Sequence, residues 1–393
     1  MRRHRHSSLA ATRGEVRDNR GMKPRADSLS VPSVPSPDSR GSESAALPPG
    51  WVSVTPQAVD AADLHALMNR HEVGARGRSS TTRAVVDADL SATGMQTHRH
   101  LVLRDEAARA RCWATVHDRA AGRVLVSVVV DPGLEPDTAD KIADALFAWT
   151  ARASADLALD RGLDVTQMDS GAFDEDPRQK RWLADAGFTH TRTWLQMTRP
   201  VTPADADLSP ELDPAVVVRR VSRAADGMPE QDDLVTVHDV LEEAFTDHFN
   251  YHFEAFDEFC SRLREDPGHR WDHWWIAELV DDSAAVPWPV GVLVATASPG
   301  DGDAPGGSYV AYLGVLRSAR GRGVARSLLN TVIVDAAGRG RNRVGLEVDA
   351  DSPTGAVDLY TSTGFRTSFI TQSWHRDLPV GKTYSPDARA DDL

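Results

Sequence analysis

Between Val315 and Ala325 the chain reads Val-Leu-Arg-Ser-Ala-Arg-Gly-Arg-Gly-Val-Ala, an apolar strand pattern running into a glycine-rich turn. An apolar helix pattern follows, carried by Val324, Leu328, Leu329 and Val332. That order has a chemistry. The first amides of a helix have no intrahelical acceptor and sit at the positive end of its dipole. Glycines let an anion come close to such amides, so Arg320, Gly321, Arg322, Gly323, Val324, Ala325 and Arg326 make a candidate pyrophosphate cradle. Arg320 and Arg322 add positive charge at its mouth. Taken alone, the same residues would serve as a tight strand-to-helix turn with surface arginines. The spacing is neither G-x-x-x-x-G-K-[ST] nor G-x-G-x-x-G, which argues against a P-loop and against a dinucleotide fold.

A turn of this kind needs a strand and a helix to hold it, and the flanking pattern supplies both. The second half of the chain predicts strands at Val216–Val221, Trp274–Val280, Val290–Ala297, Tyr309–Val315 and Arg343–Asp349, with a last one past Arg366. Helices are predicted over Gln231–Phe245, Gly323–Ala337 and Gly355–Ser362. The first half shows a similar order. Strands at 110–118 and 123–130 precede a helix over Thr138–Leu159, with Ile142, Leu146, Trp149 and Ala153 on one stripe. A strand near Leu163–Met168, a helix over Arg178–Ala186 and a strand carrying Trp194, Gln196 and Thr198 follow. Gly187-Phe188 matches Gly364-Phe365, and Val130 matches Val315, which suggests a duplicated domain. The organisation expected is an N-terminal disordered extension over 1–50, a domain at 51–199, a proline-rich linker at 200–215, a domain at 216–376 and a flexible tail at 377–393.

Composition narrows the function. Of 393 residues, 44 are Lys or Arg and 58 are Asp or Glu, a net charge of −14, which disfavours nucleic acid and anionic membrane surfaces as partners. No apolar run reaches the roughly 18–20 residues of a membrane span. Cys112 and Cys260 are the only cysteines, too few for a disulfide framework or a cysteine-rich zinc site. A cytoplasmic protein, monomeric or homodimeric, is the expectation. Residues 1–50 hold six prolines, nine Lys/Arg and five Asp/Glu with few large apolar side chains, and cannot offset their ordering entropy by burial.

Strand, then R-x-x-G-x-A (Arg320, Gly323, Ala325), then helix resembles the coenzyme A motif of the GCN5-related N-acetyltransferases. Downstream, the run from Leu346 to Phe365 resembles that family's second signature, L-x-V-x-x-x-N-x-x-A-x-x-L-Y-x-x-x-G-F. Ser352 stands where the family's Asn is usual, and Arg317 where Pro is common. The resemblance implies an α/β (α+β) fold, a mixed twisted sheet with helices on both faces. Acetyl-CoA would enter a splay between two neighbouring strands as co-substrate, with no metal. It further implies that backbone groups of Leu313, Gly314 and Val315 bond the pantetheine arm and the acetyl carbonyl, with Ser352 nearby.

Acetyl transfer to an amine needs a base for the ammonium and a proton donor for the leaving thiolate. By the same resemblance Tyr360 stands at the general acid's place. Glu347, opposite in strand phase to Leu346 and Val348, is the first candidate base, with Glu278 or a relayed water as alternatives. Nine of the chain's 25 aromatic residues fall between Phe245 and Trp275. Phe245, Asp247, Phe249 and Tyr251 are candidates for the acceptor pocket there, with Glu254 and Asp257 able to hold a cation. Core packing accounts for the same aromatics. His248 and His252, four apart, lack a third metal ligand, and Arg339, Arg341 and Arg343 are further candidates for the coenzyme's phosphates.

In the first half the equivalent turn reads Val130-Asp131-Pro132-Gly133-Leu134-Glu135-Pro136, with prolines and acids where donors are needed. Trp182 falls near the tyrosine's place. This half reads as a degenerate copy with low capacity for coenzyme A. A degenerate half before a competent one resembles the tandem arrangement of mycothiol synthase-like acetyltransferases. The expected activity is acetyl transfer from acetyl-CoA to a primary amine of a small molecule by direct attack in a ternary complex. The alternatives are acetylation of a protein N-terminus or lysine, and a non-catalytic acyl-CoA sensor.

Overall fold

The computed structural model describes residues 47–119, 122–208, 215–225, 227–246, 254–265, 269–280, 287–298, 300 and 305–380. The first half runs β1 (Val52–Val54), α1 (Ala61–Arg76), α2 (Arg83–Asp89), α3 (Gly94–Thr97), β2 (His98–Arg104), β3 (Ala110–Asp118) and β4 (Arg123–Val130). It continues with α4 (Pro136–Asp160), β5 (Val165–Phe173), α5 (Pro177–Asp185) and β6 (Thr189–Pro200). After a 3-10 turn at Pro203–Asp207 the second half begins with β7 (Val216–Arg220), α6 (Gln231–Phe245), α7 (Phe256–Glu265), β8 (His269–Leu279) and β9 (Trp288–Ser298). It ends with β10 (Gly307–Val315), α8 (Val324–Gly338), β11 (Arg343–Asp349), α9 (Ala356–Ser362) and β12 (Arg366–Pro379). β12 extends past the boundary drawn at 376.

Helices form where the apolar stripe can be buried. α4 buries Ile142, Leu146, Trp149 and Ala153 as its period predicts, and α8 buries Val324, Leu328, Leu329, Val332 and Ile333. Each such aliphatic side chain contributes about 1.5–3 kcal/mol when fully buried. α6 covers the opposite face of the second half, packing Leu234, Val237, Val240 and Leu241 against Trp274, Ile276, Val292 and Val294. The segment before β3 is less legible, because α1 buries only Ala61, Leu64, Leu67 and Glu72 along its length.

The strands form one twelve-stranded mixed sheet in the order β1-β2-β3-β4-β5-β12-β6-β11-β10-β9-β8-β7. The two helix-flanked halves are therefore continuous, and they exchange their last strands. β12 lies between β5 and β6, while β6 lies between β12 and β11. β12 thus supplies the partner of β5 and β6 that of β11, and neither strand is left with an edge of unpaired backbone groups.

In each half a parallel pair is cut short. β10 and β11 pair only from Ser308↔Val344 to Val310↔Leu346. A bulge then falls between Val310 and Tyr312, and the strands part. β4 and β5 likewise pair only from Arg123↔Gln167 to Leu125↔Asp169.

Candidate active site

The splay between β10 and β11 opens into a cavity of about 1030 Å³. Its backbone wall follows from strand alternation. The Leu316 amide donates to Val290 O at 2.8 Å, so Leu316 and Gly314 turn their peptide groups toward β9. Leu313 and Val315 turn theirs the other way, into the splay. Gly314 lines the cavity too, and a Cβ there would stand 3.1 Å from Leu241 and 3.2 Å from Ala244, so its bare α-carbon also lets α6 pack close.

Past the splay the turn delivers the start of α8. Gly323 is its N-cap, with φ +78°, a left-handed backbone that glycine adopts without strain. No side chain caps this helix among the described residues, so the amides that open it keep their need for an acceptor. Arg320, Gly321, Gly323, Ala325 and Arg326 line the cavity. Arg326 also donates to Ser362 Oγ at 2.8 Å, tying α8 to α9. Arg322 and Val324 do not line it: Arg322 is exposed, and the Val324 side chain is buried in the core. Ser352 lines the cavity, its hydroxyl sharing a 2.8 Å hydrogen bond with Thr354.

Tyr360 and Glu347 line the same cavity. Tyr360 sits on the inner face of α9, edge-on to Phe365 at 6.0 Å, and burial pushes its phenol up to about 12. No described protein group hydrogen-bonds its hydroxyl. Glu347 accepts from Gln196 Nε2 at 2.8 Å. Tyr309 stands beside Glu347, and burial together with the Glu347 and Tyr312 charges holds its phenol far above the ordinary range.

The other end of the cavity draws on residues that the motif pattern did not single out. His238 and Glu242 come from α6, with Phe245, Glu254 and Phe259 beside them. His238 Nε2 and the Glu254 carbonyl are 2.8 Å apart, which ties α6 to the segment preceding α7. Arg192 and Trp194 come from β6, a strand of the first half. Arg192 pairs with Asp349 at 3.6 Å, and the Trp194 indole donates to Ser373 Oγ at 2.7 Å. Phe245 is thus at the cavity as expected. Asp247, Phe249 and Tyr251 lie outside the described residues, as do His248 and His252. Among the described residues no group of three or more His, Cys, Asp or Glu side chains is arranged to hold a metal ion.

Two expectations are overturned. Glu278 is not at the cavity; it accepts from Arg219 Nε at 2.9 Å on β8, and Arg219 also bridges to Asp233 at 2.7 Å. Arg339, Arg341 and Arg343 lie beyond the far end of α8, about 20 Å from the turn by helix rise. Arg339 pairs with Asp335 and Asp272, Arg341 donates to Ser308 Oγ, and Arg343 to Ser298 Oγ.

The equivalent turn of the first half is satisfied from within. The Asp131 carboxylate accepts from the Gly133 amide at 2.9 Å and pairs with Arg70 at 3.0 Å and Arg111 at 3.2 Å. An internal anion thus takes the donors an external one would need. Trp182, near the tyrosine's place, is buried with its indole donating to Asp140 at 2.7 Å. At the mouth of this splay Arg76 stacks over Phe369 at 4.4 Å and Phe173 at 5.2 Å.

Comparison with known proteins agrees with this geometry. Residues 234–365 match the Acetyltransferase (GNAT) family. A mycothiol acetyltransferase of Jonesia denitrificans is 32% identical over 197 residues, 49% of this chain and 56% of the relative. One from Frankia casuarinae is 30% identical over 193 residues, 49% of this chain and 53% of the relative. The chain thus spans about half the length of the curated relatives it matches. Among solved structures, a GCN5-related N-acetyltransferase from Sphaerobacter thermophilus superposes with a TM-score of 0.65 at 20% identity, covering 86% of this chain and 98% of that one. A tandem GNAT protein from the clavulanic acid biosynthesis pathway gives 0.60 at 14% identity, covering 84% and 98%. At such identities the likeness is one of fold. Among the described residues no helix is long and apolar enough to cross a membrane.

Proposed function

From a chain whose residues 234–365 match the GNAT acetyltransferases and whose fold is that of a tandem GNAT protein, we propose that it moves an acetyl group from acetyl-CoA to a primary amine of a small molecule, by direct attack in a ternary complex. One observation carries the reading. The uncapped start of α8, the parted edge of β10 and the Tyr360 side chain all border one cavity. Direct attack is further supported by the cysteines, since Cys112 and Cys260 are both buried and neither lines that cavity.

In this reading the amides from Arg320 to Arg326 hold the pyrophosphate, and Leu313 and Val315 hold the pantetheine arm. Acetyl-CoA supplies an activated thioester. The acceptor arrives as an ammonium, drawn by Glu242, Glu254, Asp349 and Asp351, all of which line the cavity. Glu347 takes one ammonium proton, the free amine forms the new N–C bond, and the C–S bond breaks as the amide carbonyl is restored, the nitrogen's second proton passing to solvent. The Val315 amide faces the oxygen on which charge develops.

Tyr360 donates to the departing sulfur. Its phenol, at about 12, is a weaker acid than a thiol near 8.5, so complete proton transfer to sulfur would be uphill by about 5 kcal/mol. The hydroxyl therefore stabilises the thiolate through a hydrogen bond, and solvent supplies the sulfur's final proton when one is needed.

Calorimetric titration of acetyl-CoA into the full chain tests the coenzyme site, beside a Gly323→Glu variant. One site per chain, lost in the variant, is expected; two sites or none would sink the reading. Thiol release with a panel of primary amines (glucosamine, spermidine, tyramine) then tests the reaction. Coenzyme binding with no turnover on any amine would leave a sensor in place of an enzyme.

A further inference from the structure

The strand that the first half lends to the second does more than close an edge. β6 pairs antiparallel with β11 from Arg343↔Pro200 to Asp349↔Trp194, and in that register Glu347 faces Gln196. The Gln196 amide nitrogen donates to Glu347 Oε2 at 2.8 Å and to Thr371 Oγ1 at 3.1 Å. Thr371 belongs to β12, on the other side of β6. Both hydrogens of the amide are thus spent on acceptors held by two different neighbouring strands. The orientation of the amide follows from chemistry, because a carboxylate only accepts, so the nitrogen must face it.

Glu347 is otherwise exposed at the cavity wall. An exposed glutamate samples several rotamers, and a base that must meet an amine proton loses rate with each unproductive one. Gln196 removes that freedom from outside the second half's own sequence.

The geometry points to Gln196 as a positioning residue for Glu347, so that the first half sets the second half's base through the exchanged strand. This rests on Glu347 being the base. The first half is then part of the catalytic apparatus while the turn that ends its own β4 is held by Asp131, Arg70 and Arg111.

The test compares Gln196→Ala, Thr371→Val and Glu347→Gln in the full chain, with acetyl-CoA and the amine of that panel giving the fastest thiol release. Gln196→Ala is expected to lower kcat about tenfold, with KM for acetyl-CoA unchanged. Thr371→Val, which leaves Gln196 in place but frees one hydrogen, lowers kcat by about two- to fivefold. Calorimetry with acetyl-CoA verifies that each variant is folded. A Gln196→Ala protein with wild-type kcat overturns the proposal, and so does one whose KM for acetyl-CoA rises as its kcat falls. Wild-type turnover in Glu347→Gln would remove the base itself, a different failure from an inert Gln196 beside an essential Glu347.

Discussion

Trp194 and Thr371 are register partners across β6 and β12, and they stand 177 residues apart (371 − 194), the interval that also separates Gly187 from Gly364. An approximate twofold relation between the halves thus passes through this pair. Each residue borders the other half's splay, Trp194 opposite Asp349 and Thr371 opposite Phe173. The second half's splay opens into the cavity, and beside the first half's Arg76 stacks over Phe173 and Phe369.

If Trp194 shapes the acceptor end, its removal should affect the acceptor alone. Trp194→Ala is expected to raise KM for the amine about tenfold, the scale of losing one large apolar contact. Isothermal titration should give an unchanged acetyl-CoA affinity. Equal losses for both substrates would argue against a role confined to the acceptor.

Tyr360→Phe removes the donor and keeps the ring that packs on Phe365. We expect kcat to fall about 10²-fold, the lower range for loss of one hydrogen-bond donor aimed at developing charge. Because burial holds the phenol at about 12, Tyr360 stays protonated through alkaline pH. Its loss of a proton should contribute no basic limb to the wild-type kcat profile below about pH 11. A limb near pH 9 that vanishes in the variant would contradict this.

The Asp131 carboxylate sits between Arg70, Arg111 and the Gly133 amide, with only 8% of its side chain exposed. Asp131→Ala should destabilise the fold by about 2–4 kcal/mol, because it strands buried donors and a charge. Denaturant titration measures this. The number of acetyl-CoA sites should remain one, since the prolines of that turn still withhold amides.

Another prediction about the first half concerns acid. The rings of His98 and His117 stack at 3.9 Å and those of His98 and His100 at 5.5 Å. Burial, and then the neighbouring His98, hold His100 down at about 4; burial, His98 and Arg119 do the same for His117. The unfolded chain takes up protons at these positions near 6.5, before the folded chain does. Their contribution to stability is therefore present above about pH 6.5 and is lost as pH falls toward 4. Thermal melts at pH 7 and pH 5 should show a lower Tm at pH 5, and His100→Leu should narrow the difference. An unchanged gap in that variant would place the acid sensitivity elsewhere.

What could be read before the fold was known is what lies close together along the chain. The turn from Arg320 to Arg326, the strand that feeds it, and the Leu359-Tyr360 and Gly364-Phe365 anchors are local. Amide direction, helix dipole and strand phase are set by neighbours a few residues away, so the backbone wall of the cavity and the start of α8 were legible, with Leu313, Val315 and Tyr360 among the lining residues. Where a side chain ends up among distant partners was not. Glu278 and Glu347 are both strand glutamates in the same half, and only the sheet separates the one bound by Arg219 from the one that faces the cavity. Arg339, Arg341 and Arg343 look like phosphate ligands until the length of α8 carries them to its far end. The strand exchange left no local trace at all, because the pairing of β6 with β11 is decided by which edges need partners once both halves have folded. Trp194 and Gln196 read simply as alternate residues of a first-half strand, and it is that pairing which brings them, with Arg192, to the second half's site.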